Sequence, residues 1–356
     1  MKKVIQSLYS GLGGHASVVF SLLDTEFIND YENVLVFFGV EEILESHKKK
    51  SLDLDIKYYS LIKKSKRYLK PFISFKKILN NENPDVIIIH GSELIFPAIW
   101  YCKDKKTKVI YVEHEPNHTK TILERLQTSY SLKHADKVVC LNEIYKSQLL
   151  SQSNSKATVK VIPNGIDIER FLPTRKKTHI KNIGMAARLT NTKDHKNLIY
   201  AFSLLLKSNP DCLLKIAGTG DLEDKLKNYA SELNIANSVQ FLGLLNENEM
   251  IGFYQNLDLY VHATYSETLS TSIIQAMSCA LIVITSDIEN NRALIENSKD
   301  GLLYEDGNSD SLYSIMVKIV NSYDKYNHIE EKARNKIEQY YSNKTMAKGY
   351  KQLIEQ

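Results

Sequence analysis

The chain has 356 residues, with 46 Lys plus Arg against 42 Asp plus Glu, a formal net charge of +4. Hydrophobic residues at 43% and charged residues at 25% are ordinary for a soluble globular protein, which excludes a disordered chain, a collagen-like repeat and a disulfide scaffold. At about 150 residues per domain the length fits two domains, each able to bury its own core.

The charge is unevenly spread. Residues 56–81 hold Lys57, Lys63, Lys64, Lys66, Arg67, Lys70, Lys76 and Lys77 and no acid, so attraction to an anionic surface is concentrated there. Cys102, Cys140, Cys212 and Cys279 form no Cys-x-x-Cys pair and have no zinc spacing with His, as expected of buried thiols in a reducing compartment. The longest apolar runs, such as 34–40, fall far short of the ~20 residues of a membrane span. The first five residues resemble the start of a signal peptide, but Gln6, Ser7, Ser10, Gly11 and the glycines after it break the apolar region. A cytoplasmic protein is the expectation.

In chain order, strand patterns fall at 4–7, 33–38, 85–90, 108–112, 137–140 and 158–162, with helical spacing at 17–27, 72–79 and 124–133. Several of the strands are continuous apolar runs, the pattern of parallel strands covered on both faces. Pro163-Asn164-Gly165 breaks the alternation, and a polar stretch over 173–179 with Arg175, Lys176 and Lys177 reads as a linker. Strand patterns resume at 180–187, 212–217, 239–242, 257–262 and 281–285, and helical segments close the chain over 311–355. Two successive doubly wound α/β domains follow.

Gly11-Leu12-Gly13-Gly14-His15-Ala16 follows the first strand and opens a helix, where free amides form an anion site. The string also fits the dinucleotide fingerprint, with Glu41 just past the second strand, so a nicotinamide-dependent oxidoreductase is a rival reading. A ligand-free tight turn explains it equally well. Arg188 follows a strand, and Lys193 stands just before a helix at 195–206; two cations there suit a diphosphate, or are two solvated charges. Ala217-Gly218-Thr219-Gly220 is another strand-to-helix turn.

Thr268, Leu269 and Ser270 read as first-turn positions with free amides, with Glu267 just ahead of them. Gln275, seven residues after Thr268, then lies on the same helix face and could hold hydroxyls; an N-cap with a buried Gln is the plainer account. Asp53-Leu54-Asp55 has metal-chelating spacing, but alternation with Leu52 and Ile56 points to a half-exposed strand. His114, at the end of a parallel strand, stands where α/β folds bind ligands.

Taken in order, these motifs resemble the retaining glycosyltransferases of family 4, which have the GT-B fold. The resemblance covers nearly the whole chain and is strongest over 161–301. Ile162-Pro163-Asn164-Gly165-Ile166-Asp167 looks like the family's interdomain signature, Arg188 and Lys193 like its diphosphate pair, and Gly218 like the turn near the base. The stretch from Glu267 to Met277 is similar to its Glu, seven residues, Glu signature, with Gln275 in place of the second Glu and Thr268 in place of a glycine. Asn290-Asn291-Arg292 stands where members often read Gly-Gly-Asn-Arg.

The resemblance implies two Rossmann-like domains facing a cleft: 1–170 on the acceptor side, and 171–337 binding the nucleotide sugar. A last helix within 338–356 crosses back to the first domain. It implies transfer from a nucleotide-diphosphate sugar, with a UDP-sugar expected, to a saccharide or lipid-linked acceptor, with retention and no metal. Arg188 and Lys193 would stabilise the diphosphate, helped by amides at Thr268, Leu269 and Ser270. Glu267 would hold sugar hydroxyls, Gln275 the ribose, Gly13 and Gly14 would let the loop approach, and His114 would orient donor or acceptor. A helix carrying Lys63 to Lys77 could rest on an anionic membrane, or be a solvated face. Nucleic acid is not expected. A catalytically silent protein of the same fold is a third reading, motivated by Gln275.

Overall fold

A computed structural model describes every residue except 12–13, 64–68, 116–119, 152–157 and 175–177. The chain forms two compact units: residues 1–165 with 343–356, and residues 166–342.

Among the described residues the first unit contains seven parallel strands: β1 (Lys2–Tyr9), β2 (Tyr31–Gly39), β3 (Lys57–Ile62), β4 (Val86–His90), β5 (Lys108–Val112), β6 (Lys137–Cys140) and β7 (Thr158–Val161). Their order is β3-β2-β1-β4-β5-β6-β7. Chain order therefore reverses between β1 and β4, and ligands of doubly wound sheets bind at the carboxyl ends of strands at such a switch point. All five residues of β4 are buried, as the apolar run demands of a strand covered on both faces. Apolar clusters lie on both sides of this sheet. The helix Asn343–Glu355 belongs to the first unit: Met346, Ala347, Tyr350, Leu353 and Ile354 enter the same cluster as Val4, Leu8 and Val19.

The second unit has six parallel strands among the described residues: β8 (Asn182–Ala186), β9 (Leu213–Ala217), β10 (Val239–Gly243), β11 (Leu259–His262), β12 (Ile282–Ser286) and β13 (Leu302–Tyr304). The order β10-β9-β8-β11-β12-β13 puts its switch point between β8 and β11. β8 pairs with β9 through to Ala186, but with β11 only at Ile183 and Gly184. Beyond that point the two central strands part.

Several local expectations change. Residues 45–53 form the helix Glu45–Asp53, so Asp53 ends a helix and Asp55 sits in a turn at φ 53; the half-exposed strand expected there begins instead at Lys57. The helix expected at 17–27 starts earlier, as Gly14–Leu23, and a separate short helix spans Phe27–Asp30. The basic helix begins only at Leu69, in Leu69–Glu82; Lys63 precedes it, and Lys64, Lys66 and Arg67 lie outside the described residues. Lys57 is a strand residue paired at 2.6 Å with Glu82, which also binds Lys3. Arg175, Lys176 and Lys177 of the linker are not described.

Candidate active site

The second unit's switch point gathers the charged side chains. After β8 the chain runs through Arg188 to Lys193, where Asp194 caps the helix His195–Leu206 by accepting from the Asn197 N–H. After β11 it runs through Thr264 to Glu267, and Ser270 caps the helix Thr271–Ser278. An antiparallel bridge between Lys193 and Thr264 ties the two loops, with the Tyr265 N–H donating to the Thr192 carbonyl at 3.0 Å.

This places the Lys193 ammonium against Glu267 Oε1 and 3.3 Å from Thr264 Oγ1. The Lys193 and Glu267 side chains keep only 13% and 16% of their exposure. His262 Nε2 lies 3.0 Å from the same Glu267 oxygen. Burial alone would push the Glu267 carboxyl up, but the Lys193 charge and the His262 bond outweigh it and hold it at about 2. Burial pushes the His262 imidazole below its ordinary range, against the pull of Glu267. The Asn290 amide donates to the Glu267 backbone carbonyl at 2.8 Å, fixing the carboxylate's own peptide.

Thr268, Leu269 and Ser270 are buried but precede the helix, so Thr268 and Gln275 do not share one helical face as expected. Ser270 is the N-cap, and Gln275 is half-buried on the helix that follows. Arg188 is exposed, and no carboxylate among the described residues pairs with it. Gly218, at φ 128, lies over the Ala187 carbonyl, where a Cβ would come within 2.1 Å, so the turn at Gly218 packs on the strand end that leads to Arg188. This alone accounts for glycine at 218.

In the first unit the described residues at the switch point form a cluster of imidazoles, with the Glu41 and Glu93 carboxylates beside Gly11 and Gly91. His90 Nε2 is 3.2 Å from Gln6 Oε1 on β1, and His90 Nδ1 is 3.0 Å from His114 Nε2. The His15 ring lies 4.4 Å from that of His114. Burial first, and then His15, lowers His90 to about 3 and drives His114 well below the ordinary imidazole range, so both are neutral. Gly14 opens its helix, and among the described residues nothing lies within 4 Å of where a Cβ on it would be, while Gly13 lies outside the described residues. The Glu41 carboxylate rests against the Gly11 α-carbon.

One residue before His114 stands Glu113, paired with Lys120 in a site where both side chains are 2% exposed. Tyr111 and Thr128 hydroxyls donate to the same carboxylate oxygen at 2.7 and 3.1 Å. Among the described residues no three His, Cys, Asp or Glu side chains are grouped to hold a metal ion, and no helix is long and apolar enough to cross a membrane.

Sequence reasoning missed His90, Gln6, His262 and Tyr260, and read Asn290 only as a departure from a family loop motif, not as a partner of the Glu267 carbonyl. Most of their partners lie far away in the chain, except that Tyr260 and His262 are two residues apart on one strand and His262 is five residues from Glu267.

The two parallel-sheet, Rossmann-like units are those of the GT-B fold. The description Glycosyltransferase Family 4 matches residues 13–170, and Glycosyl transferases group 1 matches 169–336. The chain belongs to the family 4 glycosyltransferases, and the nicotinamide-dependent reading of residues 11–16 gives way to that assignment.

It is 27% identical over 304 residues to the Escherichia coli UDP-Gal:alpha-D-GlcNAc-diphosphoundecaprenol alpha-1,3-galactosyltransferase, covering 76% of this chain and 74% of that one. It is 25% identical over 237 residues to the Streptococcus pneumoniae alpha-monoglucosyldiacylglycerol synthase, covering 58% and 52%. Among solved structures, Anabaena HepE in complex with UDP and glucose matches with a TM-score of 0.87 at 16% identity over the full length of both chains, a likeness of fold.

Proposed function

We propose that the protein moves a hexose or N-acetylhexosamine from a UDP-sugar to a saccharide or lipid-linked acceptor, with retention of configuration, in bacterial surface glycan synthesis. The observation that carries this reading is the Lys193–Glu267 pair, held by His262, at the switch point of a family 4 chain. Support for the donor and acceptor comes from HepE, whose structure holds UDP and glucose, and from the E. coli relative, named for UDP-Gal and a diphosphoundecaprenol acceptor.

In this reading Arg188 and Lys193 neutralise the departing diphosphate, a fixed electrostatic role. Glu267 accepts from the sugar hydroxyls. Amides at Thr268, Leu269 and Ser270 assist, Gln275 meets the ribose, and Gly218 lies toward the base. In the first unit His114 orients substrate as a neutral imidazole, and Gly13 and Gly14 give it room. The bond from the anomeric carbon to the diphosphate breaks as the acceptor oxygen bonds that carbon on the same face. The acceptor's proton leaves with the diphosphate. Two cations take the place of a metal, so transfer is expected to persist in EDTA. Collapse in EDTA with recovery in Mn²⁺ would overturn that part.

A thermal-shift panel of UDP- and GDP-sugars tests the donor: a UDP-sugar should stabilise the protein most. Stabilisation by none of the UDP-sugars would sink the reading. UDP release from the selected donor without acceptor separates an enzyme from a silent protein of the same fold.

A peripheral membrane contact is part of the proposal. It is supported by exposed Lys70, Ile73 and Lys77 on the helix Leu69–Glu82 and by exposed Trp100, whose ring carries the Lys76 ammonium at 3.8 Å. Sedimentation with phosphatidylglycerol vesicles should recover the protein, and failure to do so at low salt would remove this element.

A further inference from the structure

Where β8 and β11 part, Ala186 loses its ladder partner on the β11 side. The Tyr260 hydroxyl takes that place: it lies 3.3 Å from the Ala186 N–H and 3.2 Å from the Ala186 carbonyl. Two residues on, along the same face of β11, His262 Nδ1 lies 3.2 Å from the Tyr260 oxygen, and His262 Nε2 reaches Glu267 Oε1 at 3.0 Å. Tyr260 is fully buried and His262 is 1% exposed. An unbroken chain of hydrogen bonds therefore runs from the backbone of β8 to one carboxylate oxygen.

The protons in this chain can run in one direction, from β8 toward Glu267. A carboxylate only accepts, so Nε2 of a neutral His262 carries its hydrogen and Nδ1 is the acceptor. The single Tyr260 hydrogen has two acceptors in reach, the Ala186 carbonyl and His262 Nδ1, each at 3.2 Å; when it turns to Nδ1, the Ala186 N–H still donates to the Tyr260 oxygen and the chain points toward Glu267. Each bond polarises the next toward Glu267. Lys193 and His262 both engage Oε1, while Oε2 has no protein hydrogen bond among the described residues.

We infer that His262 is the positioning residue for Glu267: it anchors Oε1 to the strand scaffold so that Oε2 stays directed at a hydroxyl of the donor sugar. The inference rests on the reading of Glu267 as the sugar-binding carboxylate. It gains its force from Lys193. A diphosphate competes for the Lys193 ammonium, and once that cation turns to phosphate, His262 is the side-chain anchor left on the carboxylate. A neutral ring suits the task, because it holds the anion without pulling it from the sugar by a second full charge.

The test uses the full chain, UDP alone, and UDP-glucose, UDP-galactose and UDP-N-acetylglucosamine, with UDP release and transfer as readouts. His262→Leu should lower kcat about 30-fold while UDP affinity stays within about twofold, the split expected when an interaction with the transferring sugar is lost. His262→Gln, which can present an N–H at nearly the same place, should recover about tenfold of that loss. Tyr260→Phe keeps the ring and removes the hydroxyl; it should fall between the two, and it carries the test if His262→Leu does not fold. A folded His262→Leu with wild-type kcat, or a His262→Gln no better than His262→Leu, overturns the inference. Glu267→Gln separates the two levels. If it retains full rate, the sugar-binding reading of Glu267 fails; if it is crippled while His262→Leu is fully active, only the positioning role fails.

Discussion

The two sheets share a topology and differ in how they treat charge at the carboxyl ends of their strands. In the second unit a cation and an anion stand at the switch point itself, each partly open, each compensating the other. In the first unit the edge holds the neutral rings of His90 and His114, and the charge pair sits one residue back, in the buried Glu113–Lys120 contact. A partly open pair can exchange its partner for a charged ligand at little desolvation cost. A sealed pair cannot, and serves to hold the strand end that carries His114. The two pairs differ in exposure: 13% and 16% for the side chains of Lys193 and Glu267, against 2% for each of Glu113 and Lys120.

Removing one partner from each pair should break this contrast most visibly. Lys120→Met strands the Glu113 carboxylate among Tyr111, Thr128 and Tyr145 and should cost about 3–5 kcal/mol, read as a lowered denaturation midpoint. A companion Glu113→Leu change should restore much of that. Retained stability in Lys120→Met would mean that water reaches the site.

Lys193→Ala should do the reverse, sparing the fold while lowering turnover by at least about 100-fold, because the diphosphate loses a fixed cation. Near-normal turnover in the folded variant would remove Lys193 from the donor site.

Acid distinguishes the two edges further. Glu267 is held at about 2, below its ordinary value, so its stabilising contribution is complete above pH 4.5 and is lost as pH falls toward 2. The gap in melting temperature between wild type and Glu267→Gln should therefore be flat above pH 4.5 and close below it. His90, lowered to about 3, stays neutral while the unfolded chain takes up a proton below pH 6.5, so native stability falls as pH drops from 6.5 toward 3. His90→Gln should shrink the difference in melting temperature between pH 7 and pH 5. An unchanged difference would mean that His90 titrates normally.

The smallest expected effect is at Gln275. A carboxylate strengthens a hydrogen bond to a hydroxyl by roughly 1 kcal/mol over an amide, so Gln275→Glu should change donor affinity about fivefold, upward unless a backbone carbonyl faces the side chain. If calorimetry finds no change for either Gln275→Glu or Gln275→Ala, Gln275 does not touch the nucleotide.

Most of the strands and the fold class were legible, because parallel strands buried on both faces are read directly as apolar runs. The strand Lys57–Ile62 was missed for the complementary reason: it ends the sheet's strand order and is largely uncovered, so its sequence carries no such run. Lys193 and Glu267 were legible from their places after strands. Their contact was not, since it joins loops 74 residues apart. The helix start at Thr271 had its signal in Ser270, a good N-cap, but the free-amide argument placed the start three residues early. His262 looked like an ordinary strand residue. Nothing local says that β8 and β11 part beside it, and that parting gives Tyr260 and His262 their task.

The first unit is closed by the last helix of the chain, Asn343–Glu355, which fills its core with Met346, Tyr350, Leu353 and Ile354. During synthesis the first 165 residues therefore emerge without the piece that completes them, and the whole second unit is translated before it arrives. At roughly 5–20 residues per second the wait is on the order of ten to thirty-five seconds, during which apolar surface around Val4, Leu8 and Val19 lies uncovered. Translation that stops short of Asn343 would release a chain whose second unit can be whole while its first is a target for chaperones and proteases.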